Sequence, residues 1–446
     1  MAEASIRETL PWYRALNRAQ WNALLGSNLG WVFDGYETYA LVLVVGGALR
    51  QLLDPSEYAR IPAYAGTVIA LTLLGWAIGG LVGGVLADYF GRKRVMIFAI
   101  LGYSLLTGLS AFAWDWTSFA AMRFIVGLAI GSEWVTGSSI IAEFFPDRAR
   151  GRGVGFFQVG FGFGFFLAAF VFMFVSQIGP GAWRWMFVIG VLPALLTVWI
   201  RRAIPESAMW ERTDAQRRAA QERQRSGAAM NALDAKLTRF TVVGLFADAE
   251  VRRRTILAFL VALASTFCYW GISTWVPPYI GSVAQSAGLS GPLWISYAGM
   301  AFNVGAILGY VGLGYLADAI GRKPTTMIFQ GLSLILTPVQ FLWTHDLTML
   351  LVASFFLGAF VSGQFTWMSA WLPELFPTRM RATGAAFIFN GPRLIAWAGP
   401  LISGVLIADL GGFGWAATYI SLIYIVGLLA APFLPETRGK PLPENV

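Results

Sequence analysis

This sequence predicts an all-α membrane protein of twelve transmembrane helices, arranged as two pseudo-symmetric six-helix bundles. Three observations carry that expectation. Of 446 residues, 57% are hydrophobic and 13% charged, whereas a soluble domain carries about a quarter charged residues. The apolar residues fall into blocks of about 20, the length a helix needs to cross the hydrocarbon, with none of the short alternating strands of a membrane barrel. The second half of the chain also repeats motifs of the first in register.

Taken in order, residues 1–20 carry Arg7, Arg14 and Arg18 and no apolar core, so no cleaved signal peptide is expected. Six spans follow at about 22–49, 65–88, 95–114, 117–141, 153–177 and 183–201. The first exceeds the bilayer's need, which permits tilt. Near the fifth, the glycine run of residues 151–164 reads as close helix packing and not as a phosphate loop, because no strand precedes it. Six more spans are expected at about 255–281, 293–317, 325–343, 347–372, 382–408 and 415–434. The expected units are therefore residues 1–202, a linker over 203–253, and 254–446. In the linker, residues 211–225 are polar all round and read as a helix or a tether. Leu237, Phe240, Val243 and Phe246 have the spacing of one apolar helical face that would lie on the membrane surface.

The basic residues orient the spans. Of 32 Lys and Arg, 27 fall on the N-terminus, the even-numbered connections, the linker and the C-terminus; among them are Arg148, Arg150 and Arg152. Only Arg50, Arg60 and Arg184 lie on the other side, and Arg123 and Arg393 lie within spans. This bias predicts an inner or plasma membrane protein with both termini and the linker in the cytoplasm. It also accounts for the net charge of +8 without a nucleic-acid partner. A single cysteine, Cys268, allows no intrachain disulfide. A single histidine, His345, sits in a short polar connection and leaves no metal site of the usual kind. With no nucleophile–base constellation or cofactor loop, neither enzyme activity nor a cofactor is expected, and a monomer is the expected state.

Three repeated motifs establish the duplication. Gly84-Val-Leu-Ala-Asp88-Tyr-Phe-Gly91-Arg92-Lys93 returns as Gly314-Tyr-Leu-Ala-Asp318-Ala-Ile-Gly321-Arg322-Lys323, an offset of 230. Residues 143–150, from Glu143, return at 374–381, from Glu374, at 231, and Pro205-Glu206-Ser207 returns as Pro435-Glu436-Thr437 at 230. Both copies share one orientation, which relates them by an axis along the membrane normal.

The G-x-x-x-D-x-x-G-R-K loop resembles the signature of the major facilitator superfamily, and Arg123-Phe-Ile-Val-Gly127 resembles its second motif. Asp34-Gly35-Tyr36-Glu37 is similar to the D-G-[FY]-[DE] of aromatic acid:proton symporters. Gly131-Ser132-Glu133-Trp134 is similar to a segment of metabolite, sialate and lactate proton symporters. Two departures stand out: Tyr89 replaces the arginine that usually follows Asp88, and the fifth span lacks the Gly-Pro pair of drug antiporters. The resemblance implies the facilitator fold, alternating access and a proton as coupling ion. It also implies that Asp88 and Asp318 face helix N-termini across the halves. Arg92 and Arg322 would hold acids such as Glu143 and Glu374 in one access state. The alternative is that these charges only set topology.

Five charged residues lie away from the span ends, towards the bilayer centre: Asp34, Glu37, Arg123, Glu133 and Arg393. A charge there needs a partner or a cavity. Asp34 and Glu37 share a helical face and cannot both ionise easily, so one is expected to carry a proton, with Arg123 as counter-ion to one of them. Glu133 lies about 15 Å along the helix from Arg123 and corresponds to the neutral Gln364. Arg393, after Asn390-Gly391-Pro392, offers a planar fork to a substrate carboxylate, or a partner to Glu133 or Asp34. Tyr36 and Trp270 are candidates to line the cavity, and Gln158, Asn303, Gln364 and Asn390 either orient substrate or tie helices together. Three acids against two arginines leave one surplus negative charge, which favours symport of a proton with a small organic, aromatic or other mono-carboxylate. A neutral sugar or polyol is the alternative substrate.

Overall fold

The computed structural model describes residues 12–147, 149–396, 406 and 412–444. Arg7, Arg148 and most of the second half of the eleventh expected span lie outside the described residues. Among those described, eleven helices are long and apolar enough to cross a membrane, and no strand is present. The first half contains α1 (Arg18–Leu52), α2 (Ile61–Phe90), α3 (Arg92–Ser110), α4 (Trp116–Phe144), α5 (Arg150–Val175), and a sixth span divided into α6 (Ala182–Ile189) and α7 (Pro193–Ala203). The linker forms α8 (Ala208–Arg225), α9 (Ala232–Thr238) and α10 (Thr241–Ala247).

The second half follows the same plan. Helices α11 (Ala249–Ser273) and α12 (Val276–Ser286) make one span, then come α13 (Gly291–Ile320) and α14 (Arg322–Pro338). Helices α15 (Leu347–Gly363) and α16 (Phe365–Leu375) make another span. The eleventh expected span begins as α17 (Arg381–Asn390) and α18 (Arg393–Ala396), and the last is α19 (Phe413–Ser421) with α20 (Tyr424–Ala430).

Local chemistry sets the helix ends. Asn17 and Gln20 form a capping box at α1, as do Asp115 and Ser118 at α4, which satisfies backbone donors that a helix start leaves open. Between α2 and α3 the chain turns at Gly91 with φ of 102°, and between α13 and α14 at Gly321 with φ of 112°. Glycine alone adopts such angles freely, which is the physical reason for the glycine in both loops.

Within each half, glycines bring helix backbones together. A side chain at Gly75 or Gly79 would strike the carbonyls of Phe124 or Leu128 on α4, and one at Gly127 the Thr72 carbonyl on α2. Gly305, Gly309 and Gly358 make the equivalent crossing of α13 and α15. Small residues let helices pack closely where lipid supplies no hydrophobic drive. Between the halves, α2 crosses α17 at Gly84 and Ala386, while α5 crosses α13 at Gly151, Gly155 and Gly314.

The linker departs from its expected form in one place. Residues 211–225 are helical, but no single apolar face runs from Leu237 to Phe246. Phe240 has an extended backbone (φ −58°, ψ 131°) and separates α9 from α10, so Leu237 is buried while Phe240, Val243 and Phe246 are exposed.

Gly127→Ala forces a methyl group into the α2 backbone and should cost about 1–3 kcal/mol. Gly46→Ala, which meets nothing within 4 Å, should leave stability within about 0.5 kcal/mol of the starting protein. Thermal unfolding of the two variants in detergent checks the difference.

Candidate functional site

At the end of the bundle that carries the Lys and Arg residues, two copies of one charge network join the halves. Asp88, at the end of α2, accepts hydrogen bonds from the backbone N–H groups of Ala382 (3.2 Å) and Thr383 (2.8 Å) and from Thr383 Oγ1 (2.7 Å). Those donors open α17, where a carboxylate meets the positive end of the helix dipole. Arg92 lies 3.1 Å from Asp88 and 3.2 Å from Glu143, and Glu143 receives Arg381 of the other half at 2.7 Å. In the second copy, Asp318 accepts from the N–H groups of Gly151 (3.1 Å) and Arg152 (3.0 Å) at the start of α5. Arg322 lies 2.8 Å from Asp318 and 2.9 Å from Glu374, which receives Arg150 at 2.7 Å.

The third repeated motif belongs to the same construction, although sequence reasoning assigned it no contact. Glu206 accepts from the Lys93 N–H at 3.1 Å, and Glu436 from the N–H groups of Arg322 and Lys323, both at 3.0 Å. Burial works against the charge of Glu436, but the N–H groups of Arg322, Arg438, Lys323 and Thr437 outweigh it and hold the carboxyl below its ordinary range. Arg150 and Arg381 were likewise read only as loop charges. The repeat itself was the available signal, because each pairs with the acid of the opposite copy.

The linker adds a further tie. Arg217 of α8 donates to the carbonyls of Asp88 (2.7 Å) and Arg379 (2.8 Å), one in each half. Its guanidinium lies 4.6 Å from the ring centre of Tyr89. Tyr89 stands where the motif usually has an arginine, and a guanidinium reaches it from the linker instead.

Deeper in the bundle, the structure separates two acids that had been read as one pair. Glu37 forms an ion pair with Arg123 of α4, whose guanidinium lies 5.1 Å from the Phe187 ring. Asp34 turns instead to Glu133, ten residues along α4, and the two carboxyls adjoin within hydrogen-bonding reach. Gly30 beneath Glu133 leaves room for it. Both acids are buried, and none of their four oxygens has a hydrogen-bond donor among the described residues.

The polar residues expected to meet substrate divide into two groups. Tyr36 donates to the Met186 carbonyl (3.0 Å). Gln158 accepts from Trp134 Nε1 (2.9 Å) and from Ser369 Oγ (3.2 Å) across the halves. Gln364 accepts from Ser265 Oγ (2.7 Å) and donates to Ser333 Oγ (2.8 Å). Asn303 is exposed on α13 and donates to the Gly299 carbonyl at 3.0 Å. These contacts tie helices or close a helix on itself. Trp270, half-buried, packs edge-on against Tyr269 with ring centres 5.2 Å apart.

Arg393 and Asn390 form the second group. Arg393 is half-buried and donates to the Phe389 carbonyl. Its guanidinium lies 3.8 Å from the ring centre of Phe389 and 5.5 Å from that of Trp76. No carboxylate among the described residues forms an ion pair with it, so neither Glu133 nor Asp34 is its partner. The side-chain amide oxygen of Asn390 and the indole N–H groups of Trp31 and Trp76 are buried without partners among the described residues. Sequence reasoning missed Trp31 and Trp76, since an unspent indole N–H looks like any aromatic residue in an apolar span. Phe389 also stacks on Trp134 at 3.4 Å and 9°.

A model of the sugar (and other) transporter family matches residues 34–445. The chain belongs to that family. It is 29% identical to the cis,cis-muconate transport protein of Acinetobacter baylyi over 90% of this chain and 94% of the relative. It is 28% identical to the niacin transporter NiaP of the same organism over 93% of each. Its fold matches the major facilitator superfamily proton:xylose symporter XylE bound to 6-bromo-6-deoxy-D-glucose, with a TM-score of 0.74 and 22% identity over 96% of this chain and 98% of that one. The protein is therefore a multi-pass membrane transporter of small solutes, not an enzyme.

Removing one partner of the buried Glu37–Arg123 pair strands a charge. Glu37→Gln should cost this transporter about 3–5 kcal/mol, with part of the loss recovered in Glu37→Gln/Arg123→Gln. Unfolding of both variants in detergent reads the difference.

Proposed function

We propose that this transporter moves a small planar carboxylate together with a proton, by alternating access around the region where Arg393 lies between the halves. One observation carries the reading: Arg393 has aromatic faces on two sides and no acid paired with it among the described residues. A guanidinium offers a carboxylate two parallel hydrogen bonds, and the rings of Phe389 and Trp76 suit a flat, unsaturated substrate. Muconate and niacin, named for two relatives, are acids of that shape.

Charge balance supports coupling. Asp34, Glu37 and Glu133 against Arg123 and Arg393 leave one negative charge in the empty transporter. A proton and a monovalent anion that enter together, the anion opposite Arg393, add no net charge to the apolar interior, so the loaded transporter carries the same charge as the empty one. By the positive-inside rule the basic end faces the cytoplasm, so the charge networks at Asp88 and Asp318 close the cytoplasmic side, with the protein in the inner membrane. On this reading Gly84 and Gly314 act as the close crossings of the gate, and Gly91 and Gly321 as its turns.

A second reading, transport of a neutral solute such as a sugar or polyol, draws on the likeness of fold to the xylose symporter. The two diverge at Arg393. In proteoliposomes, external nicotinate or cis,cis-muconate should acidify the interior beyond protein-free vesicles. Arg393→Ala should weaken the response about tenfold or more, the loss of a charged hydrogen bond, and Arg393→Lys should also be impaired. Acidification by xylose and not by acids, unaffected by Arg393→Ala, would establish the neutral-solute reading instead.

A further inference from the structure

The duplication allows a comparison at the basic end of the bundle, where the first span of each half meets its last. Asn22 of α1 donates to the Ala203 carbonyl at the end of α7, at 3.0 Å. At offsets of 231 and 230 these residues correspond to Arg253 and Phe433. Arg253 donates to the Phe433 carbonyl, also at 3.0 Å. The crossing is the same, but its charges are not. In the second half, Glu250 lies 3.6 Å from Arg253 and 2.9 Å from Arg254. In the first half Ala19 stands in place of Glu250, while Arg18 and Arg202 stand in place of Ala249 and Pro432. One crossing carries its own acid, and the other carries two cations in its place.

Arg18, Ala19 and Asn22 of α1 and Trp199, Arg202 and Ala203 of α7 line an open cleft of about 530 Å³. Both arginines are exposed, and no carboxylate among the described residues forms an ion pair with either. Arg18 is the first residue of α1, where the helix dipole favours an anion and disfavours a cation. Trp199 is half-buried and packs over Gly26, where an added side chain would meet its ring at 3.2 Å. Along α1, Leu25 and Leu29 continue the face of Asn22, and along α7 Val198 and Leu195 continue that of Arg202. All four are exposed, so an apolar strip runs from the cleft towards the bilayer centre.

We propose that this cleft binds the headgroup of an acidic phospholipid from the leaflet at the basic end. Arg18 and Arg202 hold its phosphate, and the strip beneath receives its acyl chains. A guanidinium fork matches two phosphate oxygens, and an indole is at home where headgroup meets hydrocarbon. The phosphate supplies at this crossing the negative charge that Glu250 supplies at the other. A soluble anion would meet the same arginines but leave the exposed leucines without a role. The site uses none of the residues assigned to the solute and is independent of the symport reading.

Native mass spectrometry of the purified full-length protein, titrated with phosphatidylglycerol or phosphatidylcholine, tests it. One phosphatidylglycerol should bind each chain in preference to phosphatidylcholine. Arg18→Gln/Arg202→Gln should weaken that binding about 25-fold, or about fivefold for each arginine. Arg218→Gln/Arg225→Gln, which takes the same charge from the exposed linker helix, should change it by less than about twofold. Should the first double variant not fold, Arg18→Gln and Arg202→Gln must each weaken binding about fivefold. Equal binding of the two lipids by the wild type, unchanged binding without Arg18 and Arg202, or an equal loss in the linker variant overturns the proposal. Displacement of the lipid by an equal concentration of inorganic phosphate also overturns it, and makes the cleft a site for a soluble anion.

Discussion

A charge inside hydrocarbon has no water to share its field, so each one must find its compensation within the protein. The arrangement of this transporter follows from how that requirement is met at three depths. At the basic end, acids and arginines are matched in closed groups, with helix N-termini absorbing the remaining carboxylate oxygens. In the first half, Arg123 neutralises Glu37. Between the halves, the described residues meet Arg393 with aromatic faces and a backbone carbonyl. Compensation is complete at the basic end and, among the described residues, incomplete at Arg393.

The fold was readable because its signals are one-dimensional. Span length and charge bias need no knowledge of neighbours, and the repeat is visible at a single offset. Even the contacts of Asp88, Arg92 and Glu143 could be anticipated, because the motif and its copy name both sides of the interface. What could not be read was which way a side chain turns between helices. Asp34 and Glu37 lie on one helical face, yet the Cβ directions three residues apart differ enough for one to meet Arg123 and the other Glu133, about three turns apart on α4. The polar candidates failed for a related reason. Gln158 and Gln364 look alike in sequence to any cavity residue, and only the neighbouring Trp134 and Ser265 reveal that their hydrogen bonds are already used. Short linker helices were misjudged because spacing alone does not disclose the break at Phe240.

The two halves also differ in ways that the duplication makes measurable. Packing glycines are conserved between them as geometry: Gly75, Gly79 and Gly127 recur as Gly305, Gly309 and Gly358, each against a backbone carbonyl. Ionisable chemistry is not. Asp34, Glu37, Arg123 and Glu133 all belong to the first half, while serines, a cysteine and a glutamine stand in their places in the second. Arg393 is the exception on the other side. Divergence has therefore left the scaffold common and divided the polar interior, with acids against one wall and Arg393 on the other.

The networks at the basic end have a further property that concerns the medium around the protein. Each has at its core two acids and two arginines with buried side chains, Asp88, Glu143, Arg92 and Arg381 in one and Asp318, Glu374, Arg322 and Arg150 in the other; at the rim of the second, the partly exposed Asp147 and Arg152 also pair with Arg150 and Asp318. A group that is neutral as a whole and has its core side chains buried recruits few mobile ions and is only weakly screened by them. Exposed linker pairs such as Arg218–Asp214 loosen as salt rises. The two halves are thus held by interactions nearly indifferent to ionic strength, and the grip between them is set by the protein rather than by the composition of the surrounding fluid.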